Sequence, residues 1–388
     1  MDESYRFIEK AEELTPLMEE VARQETVALD TEADSMHHYH EKLCLIQFGT
    51  GQRQWIVDPL AGLDLVPLMR LLEQRELIFH GADYDLRLLY RTFHFRPTRI
   101  FDTMIAAQIL GRPRIGLAAL VEEMCGVTLP KEGQKADWSR RPLPEDLLHY
   151  ASGDTRFLSR LAEALQGELT HKNRLAWHGE ACHRLLGSTR ETRVVNSDEA
   201  WRVKGGKLLT GRPAAILREL WRWREECARA SDRPPFKIAN NEFLLQWVQW
   251  ISENPQASFE EAPPRPVWLR GSRLRAFERA LSRALALPES EWPGPPAGKG
   301  GIRSSRQEEA LLKRLVEARD RLAGELGLDP GVLGARETLR LLVRQAPQTV
   351  QEFRQKSTLM AWQTEALAEI LVPLLQSPAP PESAQMAD

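Results

Sequence analysis

Apolar residues recur along this chain with two different spacings, and the switch between them marks out its parts. Residues 4–23 carry a short strand pattern followed by a helical one. Thr26–Asp34 reads TVALDTEAD, where Val27 and Leu29 alternate with Ala28 and Asp30, the period of a half-buried strand. Leu43–Phe48 (LCLIQF) and Gln54–Val57 (QWIV) are strand-like, with Gly49-Thr50-Gly51 as a turn between them. Three strands so closely joined suggest an antiparallel meander. Beyond them the periods alternate. Leu63–Gln74 is helical, Leu77–His80 a short buried strand, Tyr84–Phe93 helical, Arg99–Asp102 a brief strand, and Thr103–Leu110 and Leu117–Cys125 helical. Antiparallel strands followed by strand–helix alternation predict an α/β domain with a mixed sheet.

A Lys-, Arg-, Gly- and Pro-rich loop follows, Leu129–Leu143, and then a helix opening near Pro144. Its stripe, Leu147, Ala151, Asp154, Leu158, Leu161 and Leu165, is apolar except at Asp154. Residues 188–207 are polar and read as a linker. From Leu208 the pattern is helical throughout, and it repeats at a constant offset of 95 positions, with Leu220, Arg224, Ala228, Pro235, Leu244 and Val248 matching Leu315, Arg319, Ala323, Pro330, Leu339 and Val343. The tract Pro293–Gly301 separates the two copies. The organisation predicted is an α/β domain over 1–187, a linker over 188–207, a helical domain over 208–290, a linker over 291–302, a second helical domain over 303–376, and a disordered tail over 377–388.

Composition narrows the classes. With 28% charged and 42% hydrophobic residues the chain reads as globular. The net charge of -3 means that nucleic-acid binding would need local basic patches. The four cysteines form no C-x-x-C pair, which argues against a structural zinc site and against a disulfide framework and suits a reducing cytoplasm. The acidic start, MDESYRFIEKAEEL, lacks the apolar run of a signal peptide, and no stretch is long enough to span a membrane.

The chemistry lies in the acids. Asp30 and Glu32 sit on one face at a strand end, where two carboxylates repel unless a cation joins them. On its own, D-x-E is equally a strand running out into a solvated turn. In Gly81-Ala82-Asp83-Tyr84-Asp85, Asp83 has the position of a helix N-cap, which leaves Asp85 as the better ligand. Asp154 lies in an apolar stripe with no Lys or Arg in the preceding turn of that face, and Tyr150 shares the face four residues earlier. Four such carboxylates can hold two divalent cations about 3.5–4 Å apart, the arrangement for in-line attack on a phosphodiester, and oxygen ligands select Mg²⁺, Mn²⁺ or Ca²⁺, with Mg²⁺ or Mn²⁺ expected here. Lys131, Lys135, Arg140 and Arg141 in the loop, and Arg222, Arg224 and Lys237 in the first helical copy, are candidate phosphate contacts or, equally, solvated surface. The tryptophans Trp221, Trp223, Trp247 and Trp250 read as core.

Three blocks, D-T-E at Asp30–Glu32, H-G-A-D-Y-D at His80–Asp85 and Y-A-S-G-D at Tyr150–Asp154, resemble the motifs of the DEDD exonuclease superfamily, tyrosine subtype. The tract DWSRRPLPEDLLHYASGD resembles the ribonuclease D family within it, and LWRWREECARASDRPPFKIANNEFLL resembles the HRDC domain, with the second copy a weaker match that lacks R-P-P-F. The resemblance implies a ribonuclease H-like fold, two divalent metal ions held by Asp30, Glu32, Asp85 and Asp154, and Tyr150 positioning the water. It implies 3′→5′ removal of nucleotides from single-stranded RNA ends, with tRNA precursors and small stable RNAs as substrates. A cytoplasmic monomer is expected. The catalytic motifs do not separate RNA from DNA, so a DNA-directed exonuclease and a non-catalytic RNA-binding protein stand as alternatives; the five intact motif residues argue against the latter. No G-x-x-x-x-G-K-[ST] loop is present, which excludes a helicase. His37, His38 and His40 form a cluster outside the family motif, read as an exposed loop or as an RNA contact.

Overall fold

The structure, a computed structural model, describes residues 5–51, 53–130, 133–190, 197–254, 261–262, 265–296 and 305–377. It divides into two compact units. One is formed by residues 1–32, 43–191 and 303–388, the other by residues 33–42 and 192–302.

The first unit is built on a six-stranded sheet of β1 (Tyr5–Ile8), β2 (Thr26–Ala33), β3 (Leu43–Thr50), β4 (Arg53–Val57), β5 (Glu76–Phe79) and β6 (Arg99–Asp102), in the order β1-β4-β3-β2-β5-β6. Strands β2, β3 and β4 are neighbours, as their short connections require, and β3–β4 is antiparallel. The pairs β1–β4, β2–β5 and β5–β6 are parallel, so the sheet is mixed. The middle strands are buried on both faces: every residue of β3 is buried, and Val27, Ala28 and Leu29 of β2 have no exposed surface. Continuous apolar runs of this kind need helices on both sides of the sheet. These are α1 (Leu14–Arg23), α2 (Val66–Leu72), α3 (Asp83–Phe93), α4 (Thr103–Leu110), α5 (Leu117–Cys125), α6 (Glu145–Arg156), α7 (Leu158–His171) and α8 (Leu175–Arg190). Helix α1 shows how they attach: Leu14, Leu17 and Val21, three and four apart, form its buried stripe.

Two sequence expectations change here. The stripe from Leu147 to Leu165 is divided between α6 and α7, which meet at Phe157. The break allows Leu158, Leu161, Leu165 and Leu169 to join the core beside α4, while Tyr150 and Asp154 line a separate cleft. The linker expected over 188–207 also contains structure. Helix α8 continues to Arg190, and Trp201 is buried in a hydrophobic core; residues 191–196 lie outside those described.

The second unit is the first helical domain: α9 (Gly211–Ala230), α10 (Pro235–Ile238), α11 (Asn241–Glu253) and α12 (Gly271–Ala286). Its core packs Leu220, Trp223, Trp247 and Phe277, with the rings of Trp223 and Trp247 each 4.9 Å from Phe277. The histidine segment belongs to this unit. His38 Nδ1 lies 2.7 Å from Asp232 Oδ2, the Tyr39 hydroxyl donates to Glu225, and Arg229 stands over the Tyr39 ring. His38 and Tyr39 are therefore held against the helical domain.

The second helical copy completes the first unit: α13 (Arg306–Leu326), α14 (Pro330–Leu333), α15 (Arg336–Gln345), α16 (Val350–Lys356) and α17 (Ala361–Gln376). The 95-residue offset is reproduced in three dimensions, since α10 and α14 begin at Pro235 and Pro330 and α11 and α15 at Asn241 and Arg336. This copy is fastened to α8. Trp177 stacks on Trp362 at 4.4 Å, Glu180 accepts from the Ala361 N–H at the start of α17, and the buried Arg174 donates to Ile109 O at 2.8 Å and to Leu326 O at 2.6 Å. The linker tract 297–304 and the tail 378–388 lie outside the described residues.

A carboxylate cleft that could hold divalent metal

The first unit contains a cleft of about 1040 Å³ whose lining includes Asp30, Glu32, Asp85, Tyr150 and Asp154. Its volume suits a small organic ligand. Strand β2 delivers Asp30 and Glu32 from the end of its apolar run. Carboxylate oxygens of Asp30, Glu32 and Asp154 all come within 4.8 Å of one another. Asp85 stands beside this group on the first turn of α3, 6% exposed, where it accepts from Thr31 Oγ1 at 2.5 Å.

The electrostatics are those of buried, crowded acids. Burial pushes the Asp30 carboxyl well above the carboxylate range, and the charges of Asp85, Asp154 and Glu32 push it further. Glu32 is raised to about 9 by burial, then by Asp154 and Asp85. Asp154 is raised to about 7 by burial, against a hydrogen bond from Tyr150 that lowers it. Asp85 rises to about 6 by burial, opposed by hydrogen bonds from Thr31. The Tyr150 hydroxyl is raised by burial and by the nearby carboxylates. Oxygen donors at this spacing, each disfavouring its neighbours' ionisation, are suited to hard divalent cations, so the residues present fit such ions.

The structure corrects the reading of Asp83. It caps nothing: its exposed carboxylate pairs with Arg87 one turn on, and the N-cap residue of α3 is Ala82. The turn before α3 is held by Asp102 at the end of β6, which accepts from Gly81 N–H and Ala82 N–H as well as from Met104 N–H and Ile105 N–H at the start of α4. This 1% exposed carboxylate thereby sets where α3 begins and where Asp85 sits. Sequence reasoning gave no role to Thr31, His80 or Gln134, which also line the cleft, although His80 opens the second motif. Thr31 was visible between two candidate ligands. His80 lines the cleft and hydrogen-bonds Thr103 Oγ1 at 2.9 Å, and burial lowers its pKa despite Asp102.

The candidate phosphate contacts separate into three groups. Lys131 lies outside the described residues. Arg141 and Arg224 are built into the fold. The Arg141 guanidinium bonds both Asp58 oxygens, Cys44 O and Trp138 O, and Arg224, 6% exposed, donates to Asn241 Oδ1 and Ala239 O. Its repeat partner Arg319 makes the same contact with Gly334 O, 95 positions after Ala239. Arg141 is held by these acceptors and Arg224 is buried, so neither guanidinium is open to a phosphate. Lys135, Arg140, Arg222 and Lys237 remain exposed, with Arg140 bonded to Asp137 and Arg222 to Glu219.

Comparison with known proteins bears on the same residues. Residues 5–170 match the 3′–5′ exonuclease family model, and residues 214–256 and 308–375 match the HRDC domain. The chain is 31% identical over 367 residues to ribonuclease D of Pseudomonas paraeruginosa, covering 91% of this chain and 93% of that protein. The chain belongs to the ribonuclease D family. Ribonuclease D of Escherichia coli has a similar crystal structure, with a TM-score of 0.69, 25% identity, and coverage of 96% of this chain and 98% of that one. The catalytic core of RRP6 from Trypanosoma brucei matches with a TM-score of 0.59 and 27% identity over 72% of this chain and 80% of that one. The sheet and helices α1–α8 are thus the ribonuclease H-like exonuclease domain of this family, the two helical copies are its HRDC domains, and the chain is a 3′→5′ exoribonuclease.

Proposed function

We propose that this chain trims the 3′ ends of tRNA precursors and other small stable RNAs, using two divalent ions, Mg²⁺ or Mn²⁺. The observation that carries the reading is the meeting of Asp30, Glu32 and Asp154 within 4.8 Å, with Asp85 beside them. These four acids are the residues that would hold the ions. Bound divalent cations supply charge neutralisation, a lowered pKa for an attacking water, and stabilisation of the leaving 3′ oxygen. Tyr150 orients that water through its hydroxyl, which burial and the carboxylates keep protonated at neutral pH. The P–O bond to the 3′ oxygen of the preceding ribose breaks, giving a nucleoside 5′-monophosphate and an RNA shorter by one unit. Helix α5 presents its N-terminal turn, Gly116 to Ala119, to the cleft, and no side chain caps it, which favours a phosphate.

The RNA preference is supported by the relatives. The Escherichia coli protein is described as an exoribonuclease involved in structured RNA processing. Lys135, Arg140, Arg222 and Lys237 are the exposed cations proposed to meet RNA phosphates. The working division is an exonuclease domain through α8 and two HRDC domains over 208–290 and 303–376. The four cysteines are free thiols, and no helix among the described residues is long and apolar enough to cross a membrane, which supports a cytoplasmic place for the chain, acting as a monomer on single-stranded 3′ ends. The test is digestion of matched RNA and DNA single strands with Mg²⁺, with Mn²⁺ and with chelator. Release of 5′-monophosphates from RNA, abolished by chelator and by Asp154→Asn, is expected. Equal rates on DNA would overturn the RNA assignment.

A further inference from the structure

His80 lines the carboxylate cleft without being one of its acids, and a short chain of hydrogen bonds fixes its ring. His80 Nδ1 lies 2.9 Å from Thr103 Oγ1, and Thr103 Oγ1 in turn donates to the carbonyl oxygen of Phe79 at 2.9 Å. A hydroxyl has one proton. That of Thr103 is spent on Phe79 O, so Thr103 can only accept from the imidazole, and Nδ1 carries the hydrogen. Thr103 has no exposed surface, which turns the Nδ1 edge of the ring into the fold. Nε2 is then the ring nitrogen left to the cleft. Burial lowers the pKa of His80 even against the nearby Asp102, in keeping with a neutral ring whose Nε2 is a bare acceptor.

The chemistry of that atom narrows what it can meet. Phosphate oxygens are acceptors themselves and gain nothing from it. The cluster of metal-capable side chains within 4.8 Å of one another comprises Asp30, Glu32 and Asp154, and His80 is not among them. Nε2 therefore calls for a neutral donor on the substrate. The donors on base edges change from one nucleotide to the next, whereas a ribose 2′-hydroxyl recurs at every step of a 3′→5′ digestion and is missing from DNA. We propose that His80 reads the sugar: its Nε2 accepts from a ribose 2′-hydroxyl of the RNA 3′ end in the cleft, and so sets a preference for RNA over DNA. A DNA end would leave this acceptor unpaired, which is how a polar site rejects an analogue that lacks a hydroxyl. The inference rests on the RNA preference proposed above.

The experiment uses the full-length chain with Mg²⁺ and four short single strands of one sequence: all RNA, all DNA, and two RNAs with a single 2′-deoxyribose at the last or the penultimate position. The wild type should lose about tenfold in kcat/KM on one of the two singly substituted RNAs, the effect of one hydrogen bond. His80→Phe keeps a ring and removes both nitrogens, and in it that loss should shrink to within about twofold. Equal wild-type rates on all-RNA and all-DNA strands would overturn the RNA preference and this inference with it. If the wild type prefers RNA but loses nothing on either substituted strand, or if His80→Phe loses as much as the wild type, the RNA preference stands and the role of His80 is overturned. Nitrogen-15 NMR of the wild-type imidazole tests the hydrogen-bond chain without any variant. At neutral pH, Nδ1 should be protonated and Nε2 bare; a proton on Nε2 would overturn the inference.

Discussion

In the metal-free protein, Glu32→Gln should flatten the dependence of stability on pH. The Glu32 carboxyl is raised from about 4.5 to about 9, by burial first and then by Asp154 and Asp85. Between those limits the folded chain keeps a proton that the unfolded chain releases. Stability is therefore full below about pH 4.5 and falls as pH rises towards 9, by about 1.4 kcal/mol per pH unit for this one group. From pH 6 to pH 8 the loss is on the order of 3 kcal/mol, which for a unit of this size lowers Tm by roughly 5–10 °C. Glutamine has the same shape and no charge to acquire. Asp30, raised by the same causes, still titrates in the variant, so the dependence shrinks without vanishing. Thermal unfolding in chelator at pH 6, 7 and 8 tests this: the Tm of the variant minus that of the wild type should increase with pH by roughly 5–10 °C across the range. Added Mn²⁺ should raise the wild-type Tm most at pH 8 and the variant much less. Parallel curves for the two proteins would show that Glu32 ionises normally, and the argument for a cation between these acids would fail.

Asp85→Asn should reduce kcat by more than about 10²-fold, whereas Asp83→Asn, which loses only an exposed pair with Arg87, should leave kcat within about twofold; steady-state kinetics decide, and the reverse order would exchange their roles. Trp362→Ala removes the ring stacked on Trp177 and should destabilise the first unit by about 3–5 kcal/mol, with nuclease inactivation moving to the same lower temperature in a thermal challenge. The double variant Arg222→Gln/Lys237→Gln should reduce the slope of log Kd against log salt by about 1.4 on single-stranded RNA. An unchanged slope would remove both side chains from the RNA interface.

The carboxylate site was legible because its residues break local rules. Asp30 and Glu32 end an apolar strand, and Asp154 interrupts an apolar stripe, so each stood out from its surroundings in one dimension. The helical repeat was legible for the converse reason, since its apolar spacing recurs without a gap from Pro235 to Pro330. What escaped depends on partners far away in the chain. Asp83 and Asp102 cannot be ranked as caps without knowing that β6 ends beside the turn before α3. Arg224 and Arg222 look alike as letters, although the first shares a stripe with the buried Leu220 and Ala228, and that spacing was the available signal. Gln134 lies in a loop without periodicity, and only the fold brings it to the cleft. The histidines of residues 37–40 stood out by composition, yet their contacts with the helical domain, such as His38 with Asp232, could not be read locally.

The guanidinium of Arg174 has a consequence for how such a chain can change over generations. Helix α4 ends at Leu110 with Gly111 as its cap, α13 ends at Leu326 with Gly327 as its cap, and Arg174 donates to a terminal carbonyl of each. The two carbonyl ends, both electronegative, thus share one cation. Their backbones abut so closely that a Cβ on Gly111 would fall 1.8 Å from Gly327 O. An exchanged C-terminal HRDC domain would have to bring a helix that stops at that place and offers a bare carbonyl there; otherwise Arg174 would be left facing an unfilled joint. The terminal domain is therefore not a module that recombination can trade freely. Insertions, deletions or frameshifts within it would be felt first as instability of the nuclease, before any change in what the nuclease binds.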